Sequence, residues 1–490
     1  MQDAPWEEDD TAMNPVPRAA LGYARTHRRR FFSELKDFLH FPSVSSQAAR
    51  VHDVLRCAEW LARHLEQIGI CNVRILPAGH NPIVYGSWLR ARNKPTLLIY
   101  GHYDVVPAEP LAEWQTPPFT PTVKGLDLYG RGTDDDKSQL FCHVKAIECF
   151  LRSSGALPIN IKCIFEGEEE IGSGHLLPFI ARNKRELRAD AALVSDTKML
   201  GPRRPAISYA QRGGLRAEIE VRGPNKELHA GTFGGAVLNP VQALCDIVAT
   251  LHDEDRRISI PGFYDDVRNW SDKERAYMAR VGPSDEKIRE TAGVTHGWGE
   301  RGYTLYERTT TRPALALNGM VGGHYGPGVK GVIPTGALAK LSFRLVPDQD
   351  PHRVDKLFRD HIDRVAPKAV QVAVRTMAPI QPAYLDRNHP AIRTAVFAYR
   401  KGFGSYPVFL RSGGSIPVVN TFQEELGAPT VLMGFGLPDD QNHAPNEKFH
   451  IPNFYRGIET SIWYMAAASK TLHRGNGRPF IVERQLEWLS

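Results

Sequence analysis

The sequence predicts a layered α/β protein interrupted by a separate α+β domain, and three observations lead there. Short apolar, β-branched runs such as "TLLIY" (96–100) and "INIKCIF" (159–165) alternate with helical patterns and end in polar or glycine-rich text. Strands alternating with helices, both of them hydrophobic, indicate a layered α/β sheet whose strand-end loops carry the chemistry. Near Pro205 the texture changes to apolar/polar alternation, the mark of half-exposed antiparallel strands. After about Ala378 the first pattern returns, so 205–378 reads as an insertion between 18–204 and 379–490. A chain of 490 residues has room for both.

The elements follow in order. Residues 1–17 read as a disordered acidic tail. Helical periodicity covers Arg18 to Leu39 and Ala48 to Ile68. The run Arg28, Arg29, Arg30 is the wet face of the first pattern, because Phe31, Leu35, Phe38 and Leu39 supply an apolar face. Strand Thr96–Tyr100 opens into "GHYDVVP", and "GRGTDDDKSQ" leads to a helix with the face Leu140, Val144, Ile147 and Leu151. The next strand, from Ile159 to Phe165, runs into "EGEEEIGS", and Ala189 to Ser195 forms another. In the insertion "PAISYAQRG", "RAEIEVRG" and "ALAKLSFRLVP" read as strands, with helical segments between His252 and Arg312. "HPAIRTAVFAYRKGF" and "PTVLMGFG" then restore the α/β alternation.

Composition removes several function classes. Lys plus Arg is 61 against 55 for Asp plus Glu, an excess too small for a nucleic-acid-binding surface to be expected. Six scattered cysteines without a CxxC pair read as buried free thiols rather than disulfides or a metal site. The acidic first residues lack a basic, then apolar, leader, and no stretch approaches eighteen apolar residues. The expectation is a cytoplasmic protein with no membrane partner.

Chemistry-bearing residues collect at the predicted strand ends: His102 and Asp104, Asp134 to Asp136, Glu168 to Glu170, and Asp196, with His443 far downstream in "DDQNHAPNEK". Singly, each has an ordinary reading, since Asp stabilises turns and a histidine after a strand is usually a hydrogen-bonded loop residue. Together they lie where an open α/β sheet gathers its loops. Imidazoles mixed with carboxylates suit zinc, cobalt or manganese better than calcium, which prefers oxygen alone. Cations would also explain why Glu166, Glu168, Glu169 and Glu170 stand so close together.

The texts "GHYDVVP", "GRGTDDDKSQ", "FEGEEEIGS", "VSDT", "NKELHAGTFGG", "FRLVP", "RSGGSIP" and "HAPNEK" occur in one order from about Arg18 to Trp463. In them the sequence resembles the zinc-dependent M20 metallopeptidases, which include cytosolic non-specific dipeptidase, carnosinase, carboxypeptidase G and acetylornithine deacetylase. The resemblance implies a zinc-peptidase-like catalytic domain with two zinc ions, manganese or cobalt being alternatives. It implies that His102 and Asp196 hold one ion and His443 the other, that Glu170 is a further zinc ligand, and that Asp135 bridges the two ions and precedes a cis peptide bond. Asp135 is assigned by counting back from Lys137. Glu169 is then the general base, and Asp104 orients the His102 imidazole, as metal-bound histidines require.

The resemblance further implies that the inserted domain is a lid that dimerises, with His229 reaching the active site of the partner subunit. Arg344 and the "GGS" turn (Gly413, Gly414, Ser415) would grip the substrate carboxylate, since a guanidinium fork matches a carboxylate. Asn318 is a candidate polar lid contact. The expected reaction is hydrolysis of the amide bond of a dipeptide or similar small peptide with a free C-terminal carboxylate. An N-acyl- or N-carbamoyl-amino-acid amidohydrolase with the same metal site is the alternative. A non-catalytic binding paralogue would lack Glu169 or a ligand, and none is absent. The chain departs from the dipeptidases at "TMAPIQPAY" (376–384), where they often carry a histidine in a glycine-rich stretch before Pro-Trp.

Overall fold

The computed structural model describes residues 15–472. The expected tail therefore lies outside the described residues except for 15–17, which are not tail but the first turn of helix Pro15–Thr26. The chain divides into two compact units, one of 15–209, 385–409 and 417–472, the other of 210–384 and 410–416. Segment 410–416, read from sequence as part of the first domain, clusters with the second unit.

The first unit is built on a mixed sheet. Strands Thr96–His102, Asn160–Glu166, Ala191–Val194 and Thr430–Leu432 run parallel to one another in the order 160–166, 96–102, 191–194, 430–432. Strands Ile83–Trp88 and Cys71–Leu76 extend one edge antiparallel. Every residue of Ile83–Trp88 and Asn160–Glu166 is buried. Burial on both faces is what a sheet covered by helices imposes, and in Asn160–Glu166 it extends even to Asn160, Lys162 and Glu166. Because the four parallel strands share a direction, their C-terminal ends open on one side.

Helix Ser138–Ser154 is buried from Ser138 through Phe150 and packs with helices Pro15–Thr26, Val51–Ile68 and Ile451–Thr471. The single helix expected over Arg18–Leu39 is two, Pro15–Thr26 and Arg28–Leu39, separated at His27. Thr26 turns its hydroxyl back onto the Gly22 and Tyr23 carbonyls, and the His27 ring reaches the Tyr23 carbonyl. Such side-chain bonds compete with the helix's own ladder. The 48–50 segment is likewise a 3₁₀ turn leading into helix Val51–Ile68.

The second unit centres on a four-stranded antiparallel sheet ordered 314–322, 336–345, 213–222, 371–380. Gly213–Arg222 and Gly336–Leu345 show the buried/exposed alternation that their sequences announce. The apolar face, with Ile219, Leu341 and Phe343, packs under helices Pro240–Ala249 and Pro351–Val365 through Leu244, Ile247 and Phe358. Shorter helices Asp272–Val281, Asp285–Ala292 and Leu305–Thr310 occupy the region expected to be helical.

Candidate functional site

The open side of the first unit's sheet gathers the histidines and carboxylates. His102 closes strand Thr96–His102 and is fully buried. Its Nε2 lies 3.0 Å from Asp135 Oδ1 and 4.0 Å from Asp196 Oδ2. The other Asp135 oxygen, Oδ2, lies 3.1 Å from His443 Nε2, which is in turn 3.0 Å from Glu170 Oε2. Two donor groups thus meet on Asp135, one carboxylate oxygen each. His443 comes from the loop after Thr430–Leu432, and its φ of 62° is a left-handed value uncommon for a side-chain-bearing residue. The Asp135–Asp136 peptide bond is cis.

The first two acids of "EGEEE" have donors of their own. Glu166 accepts from the Tyr100 and Ser173 hydroxyls at 2.6 and 2.8 Å. Glu168 accepts from the backbone N–H groups of His80 and Asn81 and meets the His175 ring. Asp104 takes the N–H of Glu169 on one oxygen and the N–H of Glu170 on the other, both at 3.2 Å. Its carbonyl lies 3.1 Å and its carboxylate 3.4 Å from His102 Nδ1. One residue therefore orients the imidazole and also seats the turn that presents Glu169 and Glu170.

Three residues with no role in the sequence reading complete the frame. Glu447, fully buried, accepts from Asp134 N and Asp135 N on Oε1, and from Gly132 N and Arg131 Nη1 on Oε2. It clamps the "GRGTDDDK" turn to the loop that bears His443. Gly132 sits at φ 81° with Val105 2.6 Å from where a Cβ would stand, so only glycine fits there. Asn442 donates to Asp135 Oδ2 at 3.3 Å. The signal for Glu447 was its place four residues after His443, which is unremarkable until the two loops meet.

Burial, aggravated by neighbouring acids, pushes the Glu169 carboxyl well above its ordinary range and Asp196 up to about 7. His443 is pushed up to about 10 by its bonds to Asp135 and Glu170. Among the described residues no Lys or Arg forms an ion pair with Asp135, Glu169, Glu170 or Asp196. Buried carboxylates crowded without a counter-charge are costly, and a bound cation removes that cost. Nitrogen and oxygen donors at this spacing fit a divalent transition metal. His102, Asp135 and Glu170 each turn a ligand atom to within 4.8 Å of the others.

The sequence profile of peptidase family M20/M25/M40 matches residues 98–465. The chain belongs to that family. It is 31% identical over 456 residues to the Cys-Gly metallodipeptidase DUG1 of Candida albicans, covering 89% of this chain and 94% of that one. With the human Beta-Ala-His dipeptidase it shares 29% over 468 residues, 91% of this chain and 92% of that one. Among solved structures, Saccharomyces cerevisiae Dug1p superposes with a TM-score of 0.79 at 28% identity, over 92% of this chain and 98% of that one. The Sulfolobus solfataricus metallo-carboxypeptidase Sso-CP2 gives 0.81 at 30%, over 90% and 99%. This M20-family chain is a peptidase that binds divalent metal, and its fold of mixed sheets and helices is the family's.

The other residues singled out from sequence lie in the second unit. His229 is exposed, one residue before the short helix Ala230–Phe233, its Nδ1 3.2 Å from Thr232 Oγ1. Arg344 is an exposed position of strand Gly336–Leu345. Asn318 is the extra residue of a bulge on the edge strand, between Leu317, paired with Leu341, and Gly319, paired with Lys340. Gly414 N donates to Ser412 Oγ, and the Ser415 hydroxyl bonds the Arg212 carbonyl. In "TMAPIQPAY", Ala378 takes a φ of 52° where pairing with the neighbouring strand slips between Met377 and Ile380.

Proposed function

We propose that this peptidase cleaves dipeptides or similar small peptides with a free C-terminal carboxylate, using two zinc ions. The observation that carries the reading is the split of Asp135, one oxygen toward His102 and Asp196, the other toward His443 and Glu170. On this reading the first pair with Asp135 holds one ion and the second pair with Asp135 the other. When bound, the ions polarise the amide carbonyl and acidify the attacking water.

The remaining work falls to the chain's own residues. Glu169 takes the proton of the attacking water on a carboxylate oxygen and returns a proton to the leaving nitrogen. Asp104 keeps Glu169 and Glu170 in register through their N–H groups, so base and ligand move as one piece. Arg344 and the Gly413–Ser415 turn bind the substrate carboxylate, which selects short peptides, and Asn318 adds a polar contact. The names of the relatives, a Cys-Gly and a Beta-Ala-His dipeptidase, support a dipeptide substrate.

The second unit acts in this reading as a dimerising lid, with His229 serving the partner subunit's site. Its outer strand Ala314–Gly322 leaves Leu317, Met320 and Val321 exposed at 47%, 39% and 52%, an unblunted edge of the kind a second copy covers.

The deciding experiment measures hydrolysis of a dipeptide panel against N-acyl and N-carbamoyl amino acids, after chelation and after zinc or manganese is restored. Dipeptide cleavage that returns with metal is expected. Turnover confined to the acylated amino acids would overturn the substrate assignment.

A further inference from the structure

In the second unit the turn Gly413–Ser415 is wrapped around an arginine that the sequence reading left without a role. Arg212 donates from Nε to the Gly413 carbonyl at 3.2 Å and from Nη1 to the Arg308 carbonyl at 3.4 Å, and its own carbonyl takes the Ser415 hydroxyl. Nη2 has no acceptor among the described residues, and no carboxylate pairs with the guanidinium. Gly413 is what lets the side chain in. A Cβ there would stand 3.2 Å from Arg212 Nη2 and 2.7 Å from the Thr309 carbonyl.

A second guanidinium is close by. Arg212 immediately precedes strand Gly213–Arg222, in which Gly214 lies opposite Arg344. Burial and then Arg344 draw the Arg212 guanidinium down to about 10. Arg344 likewise has no acidic partner among the described residues. Two neighbouring cations, one largely buried, are unfavourable unless an anion sits between them. The Nη2 of Arg212 lies beside the Gly413–Ser415 turn, and Arg344 is close enough to act on its charge.

We propose that Arg212 is a second guanidinium of the substrate-carboxylate site, donating from Nη2 to the free C-terminal carboxylate beside Arg344. This rests on the reading of the enzyme as a peptidase of substrates with that carboxylate. The segment where the chain departs from the dipeptidases lies against the residues on either side of this arginine. Ala383 pairs with Gln211, and a Cβ on Gly213 would meet the Ile380 carbonyl at 2.3 Å.

The test compares kcat/KM for a dipeptide and for its C-terminal amide, in the metal-loaded wild type, Arg212→Gln and Arg212→Lys. Loss of a hydrogen bond to a charged group predicts a fall of roughly 10- to 100-fold on the acid, carried in KM, and little change on the amide. Arg212→Lys, which keeps charge without the fork, should fall between and carries the test if Arg212→Gln does not fold. An equal loss on both substrates would make Arg212 a support of the turn and overturn the inference alone. A wild type that does not distinguish acid from amide would overturn the carboxylate reading itself, and this inference with it.

Discussion

Glu447 and Glu169 are both buried or nearly so, both acidic and both beside Asp135, yet the chain uses them differently. Glu447 spends its four acceptances on the turn that carries Asp135, so its charge is already compensated by donors. Replacing it by Gln exchanges one acceptor oxygen for a donor and orphans N–H groups that a carboxylate satisfied. Glu447→Gln is expected to weaken metal binding by roughly 10- to 100-fold, as loss of a partner supporting a metal ligand does. Competition with a chelator measures it, and unchanged affinity would remove Glu447 from the frame. Glu169 has no such compensation on its carboxylate, which suits a group that exchanges a proton. Glu169→Gln should keep the bound metal and lose about 10²- to 10⁴-fold in kcat. Metal analysis with steady-state rates separates the two, and near-normal turnover would discard the base assignment. At this scale the sequence was informative where residue type is scarce, as at His102 and His443. It was silent about Glu447 and Arg212, because acids and arginines are everywhere and only their neighbours distinguish them.

Helices Arg28–Leu39, Val51–Ile68 and Ser138–Ser154 meet over a polar network inside an apolar layer. Lys145 Nζ donates to His64 Nε2 at 2.6 Å and to Glu34 and Glu148 at 2.6 and 2.8 Å, while Arg30 bonds the same two acids. Burial, then Lys145 and Arg30, pull His64 from 6.5 down to about 3. Between those values the unfolded chain holds a proton on this residue that the folded chain refuses. Stability therefore rises with pH through that window and falls as pH drops below 6.5. The loss attributable to His64 between pH 7 and 5 is about 2 kcal/mol. Urea unfolding should show a drop smaller by that amount in His64→Gln, whose amide oxygen still accepts from Lys145. Parallel pH profiles for the two proteins would refute the attribution. Periodicity foretold these helices, because the apolar stripe of each is local text. The break at His27 escaped it, since a side chain turning onto its own backbone leaves the stripe intact.

The chain divides into a unit that gathers the histidines and carboxylates around Asp135 and a unit with its own core of Ile219, Leu244, Phe343 and Phe358. If the second unit dimerises through its outer strand, a lysine at the exposed Val321 should yield a monomer by sedimentation with little change in thermal midpoint. Activity should fall with it, because His229 then has no neighbouring site to serve. A stable dimer of Val321→Lys would redirect the search to another surface. The sequence by itself determined the class of the fold and membership of the M20 family, and it picked out the histidines and carboxylates proposed as ligands, because hydrophobic period and motif order are properties of nearby residues. The tertiary structure alone decided that Asp135 faces two histidines 341 positions apart, that Glu447 locks their loops, and that the glycine turn closes on Arg212. Those are contacts between strand ends, and a linear text has no coordinate for which ends come together.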